Sequence, residues 1–319
     1  MWLTWRAATQ RALYGENGFY LRERPSAHFR TSVGASTVLA GAVLRELAGP
    51  AAGPYGTVDL VDVGAGEGAL AADVLALAPP ELRSRLRVTC VDLAPRPPDL
   101  PGEIAWTDTV PEGVTGLVIA NEWLDNVPLD VVEWTPDGPR LVMVDPADGA
   151  ERLGDRPEEA DLAWLDRWWP LGETGERAEI GRPRDDAWAS VVVRLAHGLA
   201  VAVDYAHHLG ARPPYGSLAG YRDGAPVAPV PDGSCDITAH VALDACAAAG
   251  ERAGAVATTL TTQREALRAL GVTGARPPLD LAGRDPSGYL RALSRASLEA
   301  ELISPHGLGA FGWLRQSRP

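Results

Sequence analysis

The stretch Asp62-Val63-Gly64-Ala65-Gly66-Glu67-Gly68 lies between the apolar run Val58-Asp59-Leu60-Val61 and the helix-like Ala69-Leu70-Ala71-Ala72-Asp73-Val74-Leu75. It reads as a strand that ends in a glycine turn and enters a helix, which commits the chain to an α/β architecture. Without Cβ atoms the turn lets a ligand approach the backbone closely, and the helix N-terminus presents free N–H groups to its polar parts. A nucleotide-like cofactor is the first expectation.

Gly64, Gly66 and Ala69 also satisfy the dinucleotide pattern G-x-G-x-x-G/A, so the glycines alone do not choose the cofactor. Two details lean away from a nicotinamide dinucleotide. Gly68 adds a G-x-G-x-G spacing, and Asp62 stands at the strand end two residues before the first glycine. A carboxylate there would crowd a pyrophosphate but suits an ammonium group, which S-adenosylmethionine carries beside its sulfonium. A second strand, Arg87–Asp92, ends in an acid placed to accept from both ribose hydroxyls, with Leu93 next to it. That feature fits either cofactor. A third candidate strand, Glu103–Asp108, brings Thr107 and Asp108 to where an adenine amine could be read. Taken singly, each acid is as well explained by a solvated strand end; at the ends of successive strands they are read together as a cofactor edge.

The 319 residues, 46% of them hydrophobic, suffice for a large core, and disorder is not expected. A net charge of −13 argues against nucleic-acid backbone as a partner and leaves room for a basic peptide or an arginine-bearing protein. Every cationic Lys/Arg position is Arg, which we attribute to coding bias. Cys90, Cys235 and Cys246 lack paired or metal-ligand spacing, so no metal is expected and a reduced, cytoplasmic location is the default. No long apolar span or signal-like N-terminus suggests a membrane partner. A homodimer is left open.

Residues 1–32 read as a surface arm or a segment folded over a site, too polar and broken for a core element. A helix is expected from about Val33 to Leu47. A fourth strand, Gly116–Ala120, runs into Asn121-Glu122-Trp123-Leu124-Asp125-Asn126-Val127-Pro128. Val131–Trp134 and Arg140–Val144, around a Pro136–Gly138 turn, form a hairpin pattern. Residues 145–186, with Trp164, Trp168 and Trp169, read as helices outside the sheet. The next sheet strand is Leu199–Tyr205, so residues 129–188 are expected to be an insertion, because an ordinary connection is far shorter. Residues 206–240 read as a loop-rich segment on the substrate side, and Asp236–His240 as the entry of an Ala-rich helix. Ala253–Leu260 and Phe311–Leu314 are the last candidate strands, with a helix over Gln263–Leu270 between them.

Several blocks occur in a fixed order: the glycine motif, Ala120–Pro128, Val203-Asp204-Tyr205, Gly216–Arg222, Asp236–Val241, Thr261-Thr262-Gln263 and Gly307–Phe311. In this arrangement the chain resembles the MidA-like class I S-adenosylmethionine-dependent methyltransferases, whose mitochondrial members assist assembly of respiratory complex I. The resemblance covers nearly the whole chain, and the Asn121–Asp125 and Asp236–His240 blocks are its specific parts. It implies a single methyltransferase domain over 1–319, with a seven-stranded, mostly parallel sheet whose last strand is antiparallel. For some members it implies methylation of an arginine on a protein partner. Ala206 and Arg30 depart from the pattern, and residues 145–186 are shortened and diverged. The cofactor therefore carries over better than the substrate.

The reacting face should lie just past the fourth strand, at the carboxyl ends of the sheet. Glu122 and Asp125, three apart, would share one face if their segment is a helical turn, and two carboxylates match a guanidinium's planar fork. The alternative is that they tether the turn before Pro128. Asn121 is expected to orient backbone or cofactor, Tyr205 to face substrate, and Asp204 to be either a second-line acid for substrate or a structural residue. His240 could take the nucleophile's proton, whereas Asp236 or Thr238 could simply cap a helix. His207-His208 is expected on a loop surface, and the tryptophans in packing. Three functions remain in competition: protein methyltransferase, methyltransferase acting on a small molecule or peptide of secondary metabolism, and a cofactor-binding assembly chaperone without chemistry. A dehydrogenase is disfavoured by Asp62.

Overall fold

The computed structural model describes residues 1–22, 36–49 and 56–319. From the N-terminus, β1 (Leu3–Thr4) leads into α1 (Trp5–Tyr14) and α2 (Phe19–Arg22), and α3 (Ser36–Ala48) precedes the main sheet. Then come β2 (Val58–Val63), α4 (Ala69–Leu77), α5 (Pro80–Arg83), β3 (Leu86–Val91), β4 (Ile104–Thr107) and β5 (Val114–Asn121). The middle of the chain holds β6 (Val131–Thr135), β7 (Gly138–Val144), β8 (Glu151–Leu153), α6 (Glu159–Trp168), β9 (Arg177–Glu179) and α7 (Arg182–Arg194). The remainder is β10 (Leu195–Asp204), β11 (Ala206–His207), β12 (Ala219–Arg222), β13 (Ala225–Val227), β14 (Asp236–Thr238), β15 (Val241–Ala242), α8 (Leu243–Arg252), β16 (Ala257–Thr262), α9 (Gln263–Ala269), α10 (Asp280–Arg284), α11 (Pro286–Leu302) and β17 (Gly312–Arg318).

The seven-stranded sheet has the order β16-β17-β10-β5-β2-β3-β4. β2, β3, β4, β5 and β10 pair in parallel, and β17 is antiparallel to both its neighbours. The period-2 alternation of the strands builds two cores. Leu60, Leu117, Ile119, Leu199 and Val201 face α3, α4 and the α9–α11 side. Val61, Val63, Val118, Ala120, Ala200 and Ala202 face Trp188 and Val191 of α7 and Cys246 of α8. The parallel register brings Val63 beside Ala120 and Asn121 beside Val203, so the ends of β2, β5 and β10 meet along one edge. That edge positions the site.

The strands between β5 and β10, joined by β1 from the N-terminal segment, build a second sheet, β1-β7-β6-β9, with β8 against β7. The hairpin register Val132↔Leu141 agrees with its sequence pattern. Residues 145–186 were expected to be helical, but they also contribute β8 and β9, because short strands without clean alternation leave little periodic signal. The N-terminal segment is a second correction. Leu3 pairs with Val144, and Trp5, Ala8, Ala12 and Leu13 are buried, so α1 is a core element despite its polar residues. Its apolar positions recur at helical spacing and pack on Val131, Val142 and Ile237. His28-Phe29-Arg30-Thr31-Ser32, and with them the remainder of the expected arm, lie outside the described residues. Helices α10 and α11 had no counterpart in the sequence reading; their faces are mostly exposed and offer a weak apolar stripe.

Candidate active site

The glycine turn follows β2 directly. Gly64, Gly66 and Gly68 have φ of 69°, 57° and 72°, the left-handed region that side chains with a Cβ rarely adopt. A Cβ on Gly64 would come within 2.7 Å of the Trp123 ring, so the glycine lets this indole close over the loop. Gly66 has nothing within 4 Å of that position and turns an open side outward. Its N–H donates to Asp92 Oδ2 at 2.8 Å, while Asp92 Oδ1 accepts the Ala94 N–H at 2.8 Å. A carboxylate has about four lone-pair directions, so Asp92 retains capacity for ribose hydroxyls. Thr107 caps its own turn with the Thr109 backbone, its carbonyl holds the Asp92 N–H, and Asp108 is exposed at the rim. Leu93, 63% exposed, is an apolar side chain left on the surface of this edge.

Asp62 is buried, and burial, then the neighbouring Asp92 charge, push its carboxyl up to about 7. The Ala71 N–H at the start of α4 offsets this only in part. Among the described residues no cation pairs with it. These residues fit S-adenosylmethionine: a buried acid short of a cation, a glycine loop open on one side at Gly66, and a second acid on the next strand.

Past β5 the backbone turns sharply. Glu122 adopts φ 50°, one of two non-glycine residues at positive φ among those described, and its N–H donates to the Val203 carbonyl at 2.8 Å. Strain of this kind tends to sit where a side chain must be aimed. The helical turn itself is a 3₁₀ segment, Leu124–Asn126, which starts after Glu122. The expectation that Glu122 and Asp125 share one helical face is therefore corrected, because the left-handed residue breaks the i,i+3 relation. Asn121 Nδ2 donates to Glu122 Oε1 at 3.1 Å, and since a carboxylate only accepts, the Asn121 oxygen is the atom turned away. That oxygen is buried and has no partner among the described residues.

Asp125 is buried; its Oδ2 accepts the Thr238 hydroxyl at 2.7 Å. Asp204 Oδ2 accepts the N–H groups of Leu124 at 2.9 Å and Asp125 at 3.2 Å. Asp125 Oδ1 and Asp204 Oδ1 are buried and lack partners among the described residues. Burial raises both carboxyls, and for Asp204 the charges of Asp125 and Glu122 raise it further. Asp236, raised to about 7 by burial, accepts from the Tyr20 hydroxyl at 2.7 Å and from Asn126 Nδ2 at 3.2 Å. The expected helix entry at Asp236–His240 is a strand, β14, and neither Asp236 nor Thr238 caps α8. Their side chains are spent on the Asn126 and Asp125 turn instead.

His240 is exposed, with its ring stacked 5.6 Å from that of Tyr205, which packs in turn on Phe311 at 4.1 Å. Partial burial, then the charge of Arg184, lower its pKa, so the imidazole is neutral near pH 7. His207, expected on a loop surface, is buried against Trp169 at 4.5 Å, with its Nδ1 2.6 Å from Arg212 Nη1. A strand, β11, carries it inward. Among the described residues no group of His, Cys, Asp and Glu could hold a metal ion, and all three cysteines are free and buried. Likewise no described helix is long and apolar enough to cross a membrane.

Sequence reasoning missed Trp123, which closes the glycine loop, and two buried charges. Glu179 Oε1 accepts the N–H groups of Ser217 at 2.6 Å and Leu218 at 3.0 Å, and Ser217 Oγ accepts the His240 N–H at 2.9 Å. Gly216 is needed there because a Cβ would meet Glu179 Oε1. Arg184 sits among the charges Arg182, Asp185 and Asp186, which read as a solvated helix start. No pattern in the chain distinguishes it from them.

Comparison with known proteins bears on the family and the cofactor. A family model described as an S-adenosyl-L-methionine-dependent methyltransferase matches residues 39–261. A crystal structure of a superfamily member from Burkholderia thailandensis bound to S-adenosyl-homocysteine is similar at a TM-score of 0.79 and 29% identity, over 99% of this chain and 88% of that one. A native crystal structure of the same superfamily from that organism gives 0.78 and 29%, over 99% and 87%. Among curated proteins none matches this chain. The chain belongs to the S-adenosylmethionine-dependent methyltransferase family whose MidA-like members its sequence blocks resemble, and its cofactor is S-adenosylmethionine.

Proposed function

We propose that this methyltransferase acts on a protein side chain, an arginine guanidinium, in the cytoplasm. The observation that carries the reading is the acid cluster past β5 and β10. Glu122, Asp125 and Asp204 interact electrostatically there, and Asn121, Asp125 and Asp204 each keep a buried oxygen without a partner among the described residues. A guanidinium brings five donors in a plane and stays charged, which suits several acceptors better than a hydroxyl or a neutral amine does. A cavity of about 390 Å³, lined by Asp148, Glu151, Arg177, Glu179 and Tyr215 among others, adjoins the Glu179–Ser217–His240 hydrogen bonds, and in it Arg177 pairs with Glu151 at 2.8 Å.

S-adenosylmethionine supplies the electrophilic methyl: the new N–C bond forms as the C–S bond breaks, S-adenosylhomocysteine leaves, and the nitrogen loses one proton. The protein's part is alignment, which can contribute several kcal/mol. In this reading Glu122 and the Asn121 oxygen orient the guanidinium, Asp125 and Asp204 offer their unpartnered oxygens as acceptors, and the neutral His240 imidazole receives the proton. Asp62, Gly64, Ala65, Gly66, Gly68, Asp92, Leu93, Thr107 and Asp108 hold the cofactor.

Tritiated methyl transfer into cognate cell lysate tests the substrate class. We expect label in a protein band, reduced at least tenfold by Glu122→Gln while cofactor affinity stays within threefold. Label confined to the small-molecule fraction would move the substrate to a metabolite or peptide. Binding of cofactor without any transfer would favour the assembly-chaperone role.

A further inference from the structure

Arg184 is 2% exposed, a burial that a guanidinium rarely tolerates without compensation. Among the described residues all its hydrogen bonds go to main-chain carbonyls. Nε donates to Val127 at 3.2 Å, Nη1 to Ala239 at 2.8 Å and His240 at 2.9 Å, and Nη2 to Asp125 at 2.5 Å. These carbonyls belong to two segments far apart in sequence, the turn after β5 and the link from β14 to β15. The segments are also joined by the Ala239 N–H to the Asp125 carbonyl at 3.3 Å and by Thr238 to Asp125. The residues brought together this way follow Glu122 on one side and include His240 on the other.

We propose that Arg184 is the positioning residue of the methyl-accepting face, its guanidinium locking the Asp125 turn to the Ala239–His240 segment and so fixing Glu122, Asp125 and His240 relative to one another. Two physical requirements select arginine. Four carbonyls need a fork of donors in fixed directions, and an ammonium has three donors and no fork. Burial lowers the Arg184 pKa and the surrounding Asp125, Asp204 and Glu179 carboxyls work against that, so the most basic of the side chains suits the position. Arg184 touches neither the glycine turn nor Asp92, so cofactor binding should be indifferent to it.

The inference rests on the proposed roles of Glu122, Asp125 and His240, and its test separates the two. Arg184→Lys keeps the charge and loses the fork; Arg184→Met loses both. Cofactor affinity should stay within threefold of wild type for each variant. Methyl transfer per folded molecule, into whichever lysate fraction wild type labels, should fall at least tenfold in both. The fall should lie in kcat and not in KM for the cofactor. NMR titration of the His240 ring gives a readout that needs no substrate. Tyr205, Arg184 and His207 face or influence this ring, and losing Arg184 in the methionine variant should shift its pKa upward, while the lysine variant should broaden or double the resonance as the segment loosens. A lysine variant that transfers methyl at the wild-type rate with an unchanged His240 signal overturns the proposal, whether or not the methionine variant folds. If wild type labels no protein but the His240 signal responds as stated, the substrate reading fails and the positioning role stands.

Discussion

Gly64→Ala should abolish measurable cofactor binding, with an affinity loss of a hundredfold or more by calorimetry. Two costs coincide at this position. The left-handed φ of 69° disfavours any Cβ, by about 1–3 kcal/mol, and the new carbon would lie 2.7 Å from the Trp123 ring. Relief requires the indole to move, and Trp123 is the chain neighbour of Glu122, so the loop and the accepting face are disturbed together. Gly66→Ala provides the contrast. Its Cβ meets nothing within 4 Å, so the protein pays only the conformational term, about 1 kcal/mol or slightly more by thermal unfolding. Cofactor affinity should nonetheless fall more than tenfold, because the added methyl stands on the open side. Unimpaired binding in Gly64→Ala would show that the cofactor does not use this loop.

Asp62→Asn should make the cofactor-free protein more stable above neutral pH and a poorer binder. The folded carboxyl titrates at about 7, above its unfolded value near 4. For an acid raised by folding, the native state holds the proton longer than the unfolded state does. Stability is therefore unpenalised below about pH 4, declines as pH rises from there to about 7, and is lowest above that. Three units correspond to about 4 kcal/mol. Asn removes this dependence, so the two thermal curves should diverge between pH 4 and 7, with the variant higher at pH 8. Asp236, also near 7, and Asp185, near 6, leave a residual slope of the same sign in both proteins. The cofactor's ammonium would re-ionise Asp62, so binding at pH 6 should release a proton in wild type and not in the variant. Calorimetry in two buffers of different ionisation enthalpy measures that proton. Equal proton release in both proteins would remove Asp62 from the ammonium site.

The glycine turn, Asp62 and Asp92 were legible because their meaning is local: a strand, a tight turn and a helix follow each other in the chain, and the parallel register places the second acid beside the first. The hairpin over residues 131–144 was legible for the same reason. Glu122 was placed correctly past β5, but its φ of 50° was invisible, and with it the reason Asp125 leaves the shared face and becomes buried. The Asp236–His240 block looked like a helix entry since Asp and Thr are good caps. Tertiary hydrogen bonds to Tyr20, Asn126 and Asp125 claimed those side chains first. Arg184 and Glu179 depend wholly on carbonyls and amides of remote segments, which leave no trace in side-chain spacing. The tethering of α1 was hidden in a similar way, because a short strand, Leu3–Thr4, borrows its hydrogen bonds from residues about 140 positions away.

The place of β17 bears on how the molecule assembles. Gly312–Arg318 is the last of the seven strands in chain order, yet it lies inside the sheet, pairing on one side with β10 and on the other with β16. Until residue 318 has been synthesised, β10 therefore has an open flank and β16 has no neighbour to join. The cofactor half, β2 to β5, can form early from contacts close in sequence. The flank that carries Asp204 and Tyr205 must wait for a long-range closure of high contact order. A nascent chain would thus expose a template for unwanted strand pairing beside its reacting edge, and the slow step of maturation would be the threading of that final strand.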